Sequence, residues 1–138
     1  MMNQLIEFSL NHWEMVAVFI AIAATVIFIE TRGGARTVTP AAATNLINDK
    51  EAVVVDIRPA NEFRTGHLTG SINIPSAKLK DSSDTLEKYK SSPIILVCKN
   101  GMTAGSSSKE LIKSGFDVYK LQGGITEWQS AGLPLVKK

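Results

Sequence analysis

The feature that most constrains this chain of 138 residues is an uncharged apolar run at residues 15–29, which reads MVAVFIAIAATVIFI. As a helix the run would extend roughly 22 Å, at about 1.5 Å per residue. Counting back to Leu10 through Trp13 gives the roughly 20 residues that a bilayer requires. A helix that is apolar on every side cannot be buried by one small domain. We therefore predict that residues 1–30 form a single transmembrane helix that anchors the chain.

Two alternatives to an anchor stay open: a cleaved signal peptide, and a buried helix of a soluble domain. A signal peptide should begin with basic residues, but residues 1–30 contain three glutamates and no Lys or Arg. Arg32 and Arg36 follow the run directly. The positive-inside rule then places the N-terminus outside and the rest of the chain in the cytoplasm, so we expect a single-pass protein of the inner membrane. TRGGAR at 31–36 is typical of a flexible linker, which leaves 37–138 as the second domain.

Charge and cysteine content narrow the classes of function. The formal net charge is +2, from 15 basic and 13 acidic residues, and this is too small to predict nucleic-acid binding. The single cysteine, Cys98, cannot form an intramolecular disulfide. No Cys and His cluster has the spacing of a metal site, so we expect neither a metal nor another cofactor. A free thiol is most common in a reducing compartment, in agreement with a cytoplasmic domain.

Strands and helices alternate along residues 39–132. The predicted strands are 52–58, 71–75, 93–98 and 116–121. The predicted helices are 39–49, 59–66, 84–90, 104–115 and 125–132. Thr39 is suited to cap the first of these helices, and Pro40 to its first position. Few turn pairs suit hairpins, so the pattern predicts an α/β fold with a parallel sheet of four or five strands covered by helices on both faces.

Cys98 ends the apolar strand 93–98 and opens a short polar loop before the next helix. A strand, a loop and a helix in this order direct backbone N–H groups at an anion. A cysteine placed there has its thiolate stabilised and is a better nucleophile at neutral pH. Lys99 adds a positive charge, Gly101 lets the loop curl, and Thr103 offers a hydroxyl. The alternative, that Cys98 is only a small buried apolar side chain, stays open at this point.

Four stretches carry a resemblance to a known family. They are DIRPANEFRTGHLTGSINIP at 56–75, CKNGMT at 98–103, the spaced glycine and apolar positions of 115–124, and EWQSAGLPL at 127–135. Together they resemble the signatures of the single-domain rhodaneses, which are sulfurtransferases, and they span about residues 39–135. An apolar segment followed by one such domain also resembles a membrane-anchored bacterial subgroup of this family.

The resemblance implies a chemistry for Cys98. It would take a sulfane sulfur from a small anionic donor such as thiosulfate, hold it as a persulfide, and pass it to cyanide, a thiol or a protein thiol. The residues around the outer sulfur would be Lys99, Asn100, Gly101, Met102 and Thr103. Thiosulfate-using members often carry Arg and Lys where this chain has Lys99 and Asn100, so the donor is left open.

The same resemblance leaves other functions to weigh. Rhodanese-like domains also serve as non-catalytic interaction modules, and an anchored one would suit a membrane-protein partner. A redox sensor that uses Cys98 is a third hypothesis. Related phosphatases need an arginine after a longer loop, and Ala104 stands at that position. We therefore expect no phosphatase activity.

Four residues are predicted to support the site. Asp56 ends a strand and is expected to accept bonds from loop N–H groups. Arg58 and Glu62 lie four apart and are expected to pair across a helical turn. His67, in TGHLTG, is expected to fix a turn, with a role as general base as the alternative.

Overall fold

The computed structural model describes residues 1–31 and 34–137, and the chain divides into two compact units between residues 33 and 34. The N-terminal unit contains two helices, α1 (Met2–Asn11) and α2 (Trp13–Thr31), which are bent by 91° at the break between them. Over the described residues no single helix has both the length and the apolar composition needed to cross a bilayer, whereas α1 and α2 together have both. The sequence predicted one helix that continues from Leu10 to the end of the apolar run at Ile29, and the structure instead breaks it at His12.

The C-terminal unit is built on a five-stranded sheet in the order β1-β5-β4-β2-β3. The strands are β1 (Arg36–Val38), β2 (Val53–Asp56), β3 (Ile72–Asn73), β4 (Ile94–Val97) and β5 (Val118–Leu121). Every neighbouring pair is parallel, which confirms the predicted sheet. The register places Asp56 beside Val97 and Leu96 beside Lys120. The carboxyl ends of β2, β4 and β5 therefore meet at one edge.

Strand β1 was not predicted from the sequence. Arg36, which the sequence assigned to the linker, is its first residue, and the strand pairs only with β5. Its three residues form no apolar run. An edge strand pairs with a neighbouring strand on one side only, and it can therefore remain polar.

Helices join these strands. They are α3 (Pro40–Lys50), α4 (Ala60–Thr65), α5 (Ser83–Leu86), α6 (Met102–Lys113) and α7 (Gly124–Ser130). Thr39 caps α3 as predicted, since its Oγ1 accepts the N–H of Ala42 at 3.2 Å. The helix predicted at 84–90 is broken up: 3₁₀ turns at Ser76–Ser82 and Glu87–Tyr89 flank the short α5.

The sheet has a core on each face, which agrees with the predicted covering by helices on both sides. On one face Ile94, Leu96 and Cys98 pack with residues of α6 such as Leu111. On the other, Ile95 and Val97 pack with Ala43 of α3 and with Ile125 and Trp128 of α7. All four residues of β4 are buried, as expected for a central parallel strand.

Candidate functional site

Cys98 lies directly beyond the carboxyl end of β4, where the buried strand gives way to a loop. The residue is 4% exposed, and its Sγ accepts a hydrogen bond from the N–H of Gly101 at 2.9 Å. Gly101 is the N-cap residue of α6 and has φ +91, in the left-handed region that favours glycine. The sulfur is thus held at the N-terminus of α6, where the partial positive charge of the helix favours an anion.

The remaining N–H groups of the loop differ in what they bond. The N–H of Met102 donates to Oδ1 of Asn100 at 3.2 Å, so Asn100 caps the start of α6 with its side chain. Within the described part of the chain, the N–H groups of Lys99, Asn100 and Thr103 have no hydrogen-bond acceptor. All three residues are exposed. These donors remain available to an anion that approaches the sulfur.

The start of α7 forms the support beneath this loop. The N–H of Ile125 donates to the carbonyl oxygen of Cys98 at 2.9 Å, and Thr126 donates to that of Lys99 through its N–H at 3.1 Å and its hydroxyl at 3.0 Å. Gly124 has φ +57, and a Cβ there would overlap the carbonyl oxygen of Cys98. A glycine is therefore required for α7 to approach the loop this closely.

Asp56 and Arg58 form a buried ion pair at the end of β2. Asp56 is 0% and Arg58 7% exposed. Nε of Arg58 lies 3.0 Å from Oδ1 and 3.1 Å from Oδ2 of Asp56, and Nη2 lies 2.7 Å from Oδ2. Nη2 also donates to the carbonyl oxygen of Gly66 at 2.7 Å. The pair therefore joins β2 to the chain beyond α4.

The predicted ion pair between Arg58 and Glu62 is wrong. Arg58 precedes the first residue of α4, Ala60, so the spacing of four does not bring the two side chains onto one helical face. Glu62 makes no ion pair within the described ranges. The expected bonding of Asp56 to a loop N–H is found once, since its Oδ1 accepts the N–H of Arg58 at 3.0 Å.

His67 is buried and its ring is held by neighbouring groups. Its Nδ1 lies 2.8 Å from the carbonyl oxygen of Phe63, and the two rings stack with centroids 3.8 Å apart. Because a carbonyl oxygen only accepts, Nδ1 carries the proton. Its backbone pairs with Val136 in both directions, at 2.9 and 2.8 Å. These contacts hold the ring of His67 against Phe63 and tie down the C-terminal segment at Val136. None of the hydrogen bonds of His67 within the described residues reaches Cys98.

Known proteins share the fold of the C-terminal unit and part of its sequence. Residues 39–131 match the rhodanese-like domain. The chain belongs to the rhodanese-like family. A relative described as the uncharacterized protein YibN of Escherichia coli K12 is 35% identical over 141 residues, covering 99% of each chain. Thiosulfate sulfurtransferase GlpE of Pseudoalteromonas translucida is 36% identical over 87 residues, which cover 62% of this chain and 81% of the relative. The crystal structure of a rhodanese-related protein from Thermoplasma volcanium matches with a TM-score of 0.68 and 26% identity, over 75% of this chain and 99% of that one.

Ala104 of this rhodanese-like domain is fully buried in the core beneath the loop. Its side chain is a methyl group, which cannot supply the guanidinium that a phosphate-binding site would need. Of the predicted loop residues, Met102 is 79% exposed and forms the outer rim.

Among the described residues no group of three or more His, Cys, Asp or Glu side chains could hold a metal ion.

Sequence reasoning missed two contributors to this rhodanese-like site. Gly124 supports the loop from behind, and the signal available was a pair of glycines, 123 and 124, directly after a strand. Asn73, on β3, donates through Nδ2 to the carbonyl oxygens of Asp56 and Arg58 at 3.0 and 2.9 Å. A single asparagine in a two-residue strand carries no comparable signal.

Proposed function

We propose that this protein is a sulfurtransferase that carries a sulfane sulfur as a persulfide on Cys98. The observation that best supports the proposal is the hydrogen bond from Gly101 to Sγ at the N-terminus of α6. The N–H groups of Lys99, Asn100 and Thr103, in the same stretch, have no acceptor among the described residues. Donors fixed at the position of a developing anion stabilise it without reorganisation. The family membership points to the same chemistry.

In the first step the thiolate of Cys98 attacks the outer sulfur of thiosulfate. A new S–S bond forms at Cys98, the S–S bond of thiosulfate breaks, and sulfite leaves with the electron pair. The product is a persulfide anion, whose terminal sulfur lies about 2 Å beyond Sγ. The N–H groups of the loop then stabilise the charge on that sulfur.

In the second step a nucleophile attacks the terminal sulfur. Cyanide gives thiocyanate and a thiol gives its own persulfide, and in each case Cys98 is released as a thiolate. Because the accepting nucleophile comes from outside, one cysteine is sufficient. A protein thiol at the membrane is an acceptor of the right chemistry, so we include a membrane-protein partner in the proposal.

Mass spectrometry of the full chain after incubation with thiosulfate tests this function. We expect one added sulfur atom, about 32 Da, and its loss with formation of thiocyanate on addition of cyanide. Cys98→Ser should show neither. No added sulfur on the wild-type protein, or equal addition to Cys98→Ser, would exclude the persulfide mechanism.

We further propose that the N-terminal unit binds the chain to the inner membrane, with the rhodanese-like domain in the cytoplasm. Helix α2 is apolar on all sides and its large side chains are exposed, for instance Phe19 and Ile22. At 100° per residue, α1 gathers four of its five polar residues on one side, Asn3, Gln4, Glu7 and Asn11, with Ser9 as the exception. An amphipathic helix lies in the membrane surface, so the 91° bend suits an α1 along the surface and an α2 that enters the bilayer.

A further inference from the structure

Lys120 lies on the strand next to Cys98. Lys120 is the third residue of β5, and its register partner on β4 is Leu96. Side chains two residues apart share a face of a strand. Leu96 and Cys98 pack in one core cluster, and so does Val118, two residues before Lys120. The side chains of Cys98 and Lys120 therefore leave the same face of the sheet, with Cα atoms roughly 8 Å apart by strand spacing.

The ammonium of Lys120 lies against the first turn of α6. A Cβ built on Gly105, the fourth residue of this helix, would be 3.6 Å from Nζ of Lys120. At this distance the ammonium is in ordinary van der Waals reach of the backbone of α6 at Gly105. The positive group thus reaches the helix end that also holds the sulfur of Cys98.

A cation at this position is unfavourable by itself. The N-terminus of a helix carries a partial positive charge, which repels a lysine and attracts an anion. Lys120 is partly buried, and within the described residues its side chain makes neither an ion pair nor a hydrogen bond. By contrast, Lys113 is exposed at the C-terminal end of α6, where a cation is favoured. An anion bound at this end of α6 would offset that repulsion.

We propose that Lys120 determines the specificity of this site for an anionic sulfur donor of the thiosulfate class. Its ammonium attracts the charged end of the donor and holds the outer sulfur toward Cys98. This inference rests on the proposed function. Lys120 would supply a positive charge that the loop lacks at Asn100, an uncharged residue whose side chain caps α6. The second positive charge of the site comes from β5 instead.

The single cysteine allows a test that does not depend on sulfur transfer. Iodoacetate and iodoacetamide both alkylate a cysteine much faster than other side chains and through its thiolate, here that of Cys98, with loss of iodide. The first reagent is an anion and the second is neutral. The ratio of their rate constants, measured on the full chain in detergent, therefore reports the local attraction for an anion. Changes in folding or in the thiolate fraction affect both rates and cancel in the ratio.

We expect Lys120→Gln to lower the iodoacetate to iodoacetamide ratio about three- to tenfold, and Lys120→Arg to retain it. Lys113→Gln removes the same charge at the far end of α6 and should leave the ratio unchanged. In the transfer of sulfur from thiosulfate to cyanide, Lys120→Gln should raise KM for thiosulfate by a similar factor with a smaller effect on kcat.

An unchanged ratio in Lys120→Gln, an equal fall in Lys113→Gln, or no alkylation of the wild type by either reagent would overturn the role of Lys120. A wild-type chain that forms no persulfide but has a Lys120-dependent ratio would overturn the proposed function and leave the anion site standing. The two failures are therefore distinguishable.

Discussion

At the scale of the residue, the backbone of Gly124 decides how the loop of Cys98 is supported. A Cβ there would lie 2.8 Å from the carbonyl carbon of Lys99 and 2.9 Å from the backbone nitrogen of Asn100. These are main-chain atoms that cannot rotate away. The loop geometry around the thiol therefore depends on a residue 26 positions further along the chain.

Gly124→Ala should lower the free energy of unfolding by about 2–4 kcal/mol, from the left-handed backbone and the overlap together. Gly132→Ala is the matched control, because Gly132 has φ +75 but no heavy atom within 4 Å of a built Cβ. It should cost only about 1–2 kcal/mol. Urea unfolding, followed by the fluorescence of Trp128 in a Trp13→Phe background, measures both. Equal losses would mean that the contact with the loop has no energetic role.

Asp56→Asn should destabilise the C-terminal unit by about 3–5 kcal/mol, because it leaves the guanidinium of Arg58 buried without its counter-charge. Glu87→Gln makes the same chemical change in the exposed pair with Lys90, whose side chains are 61% and 44% exposed. That control should cost less than about 1 kcal/mol. Urea midpoints of the two variants provide the comparison. A loss from Asp56→Asn as small as that of the control would show that the buried pair does not stabilise the fold.

At the scale of the element, the strands that sequence reasoning identified best are those buried on both faces. Strands β2 and β4 give continuous apolar runs, whereas β1 is a short polar edge that gives none. The position of Cys98 followed from local order along the chain, strand then loop then helix. Lys120 and Gly124 could not be found in this way, since their proximity to the loop depends on the pairing of β5 with β4 and on the packing of α7.

The two N-terminal helices should respond differently to a new charge. Ile22→Arg places a cation near the middle of α2, where insertion is opposed by about 2.5–3.5 kcal/mol. Gln4→Arg adds the same charge to the polar side of α1, where water solvates it. We expect the first variant alone to lower the carbonate-resistant membrane fraction of the full chain. An unaffected Ile22→Arg protein would contradict the proposed insertion of α2 into the bilayer.

At the scale of the whole molecule, the chain combines an apolar N-terminal segment that has no basic residue with a remainder that carries all of them. Residues 1–30 have no Lys or Arg, and the remaining 108 residues carry all 15 basic and 10 of the 13 acidic residues, a net charge of +5. The proposed cytoplasmic side of the rhodanese-like domain rests on the part of this asymmetry nearest the apolar run, Arg32 and Arg36.

The orientation can be measured by protease protection. In intact spheroplasts we expect the C-terminal unit, residues 34–138, to resist an added protease, and in lysed ones to be digested, since only lysis gives access to the cytoplasmic side. A known periplasmic protein, degraded in both samples, is the control. Digestion in intact spheroplasts would reverse the proposed orientation.

The two edges of the sheet have a further consequence for copies of the protein that are held close together. An exposed edge strand offers unpaired N–H and C=O groups to another chain, and long edges favour aggregation. Here the edges are β1, with three residues, and β3, with two. So few free groups give neighbouring copies little opportunity to extend one sheet into the next. With the chain bound to a membrane as proposed, such short edges are expected to leave neighbouring copies unpaired through their sheets.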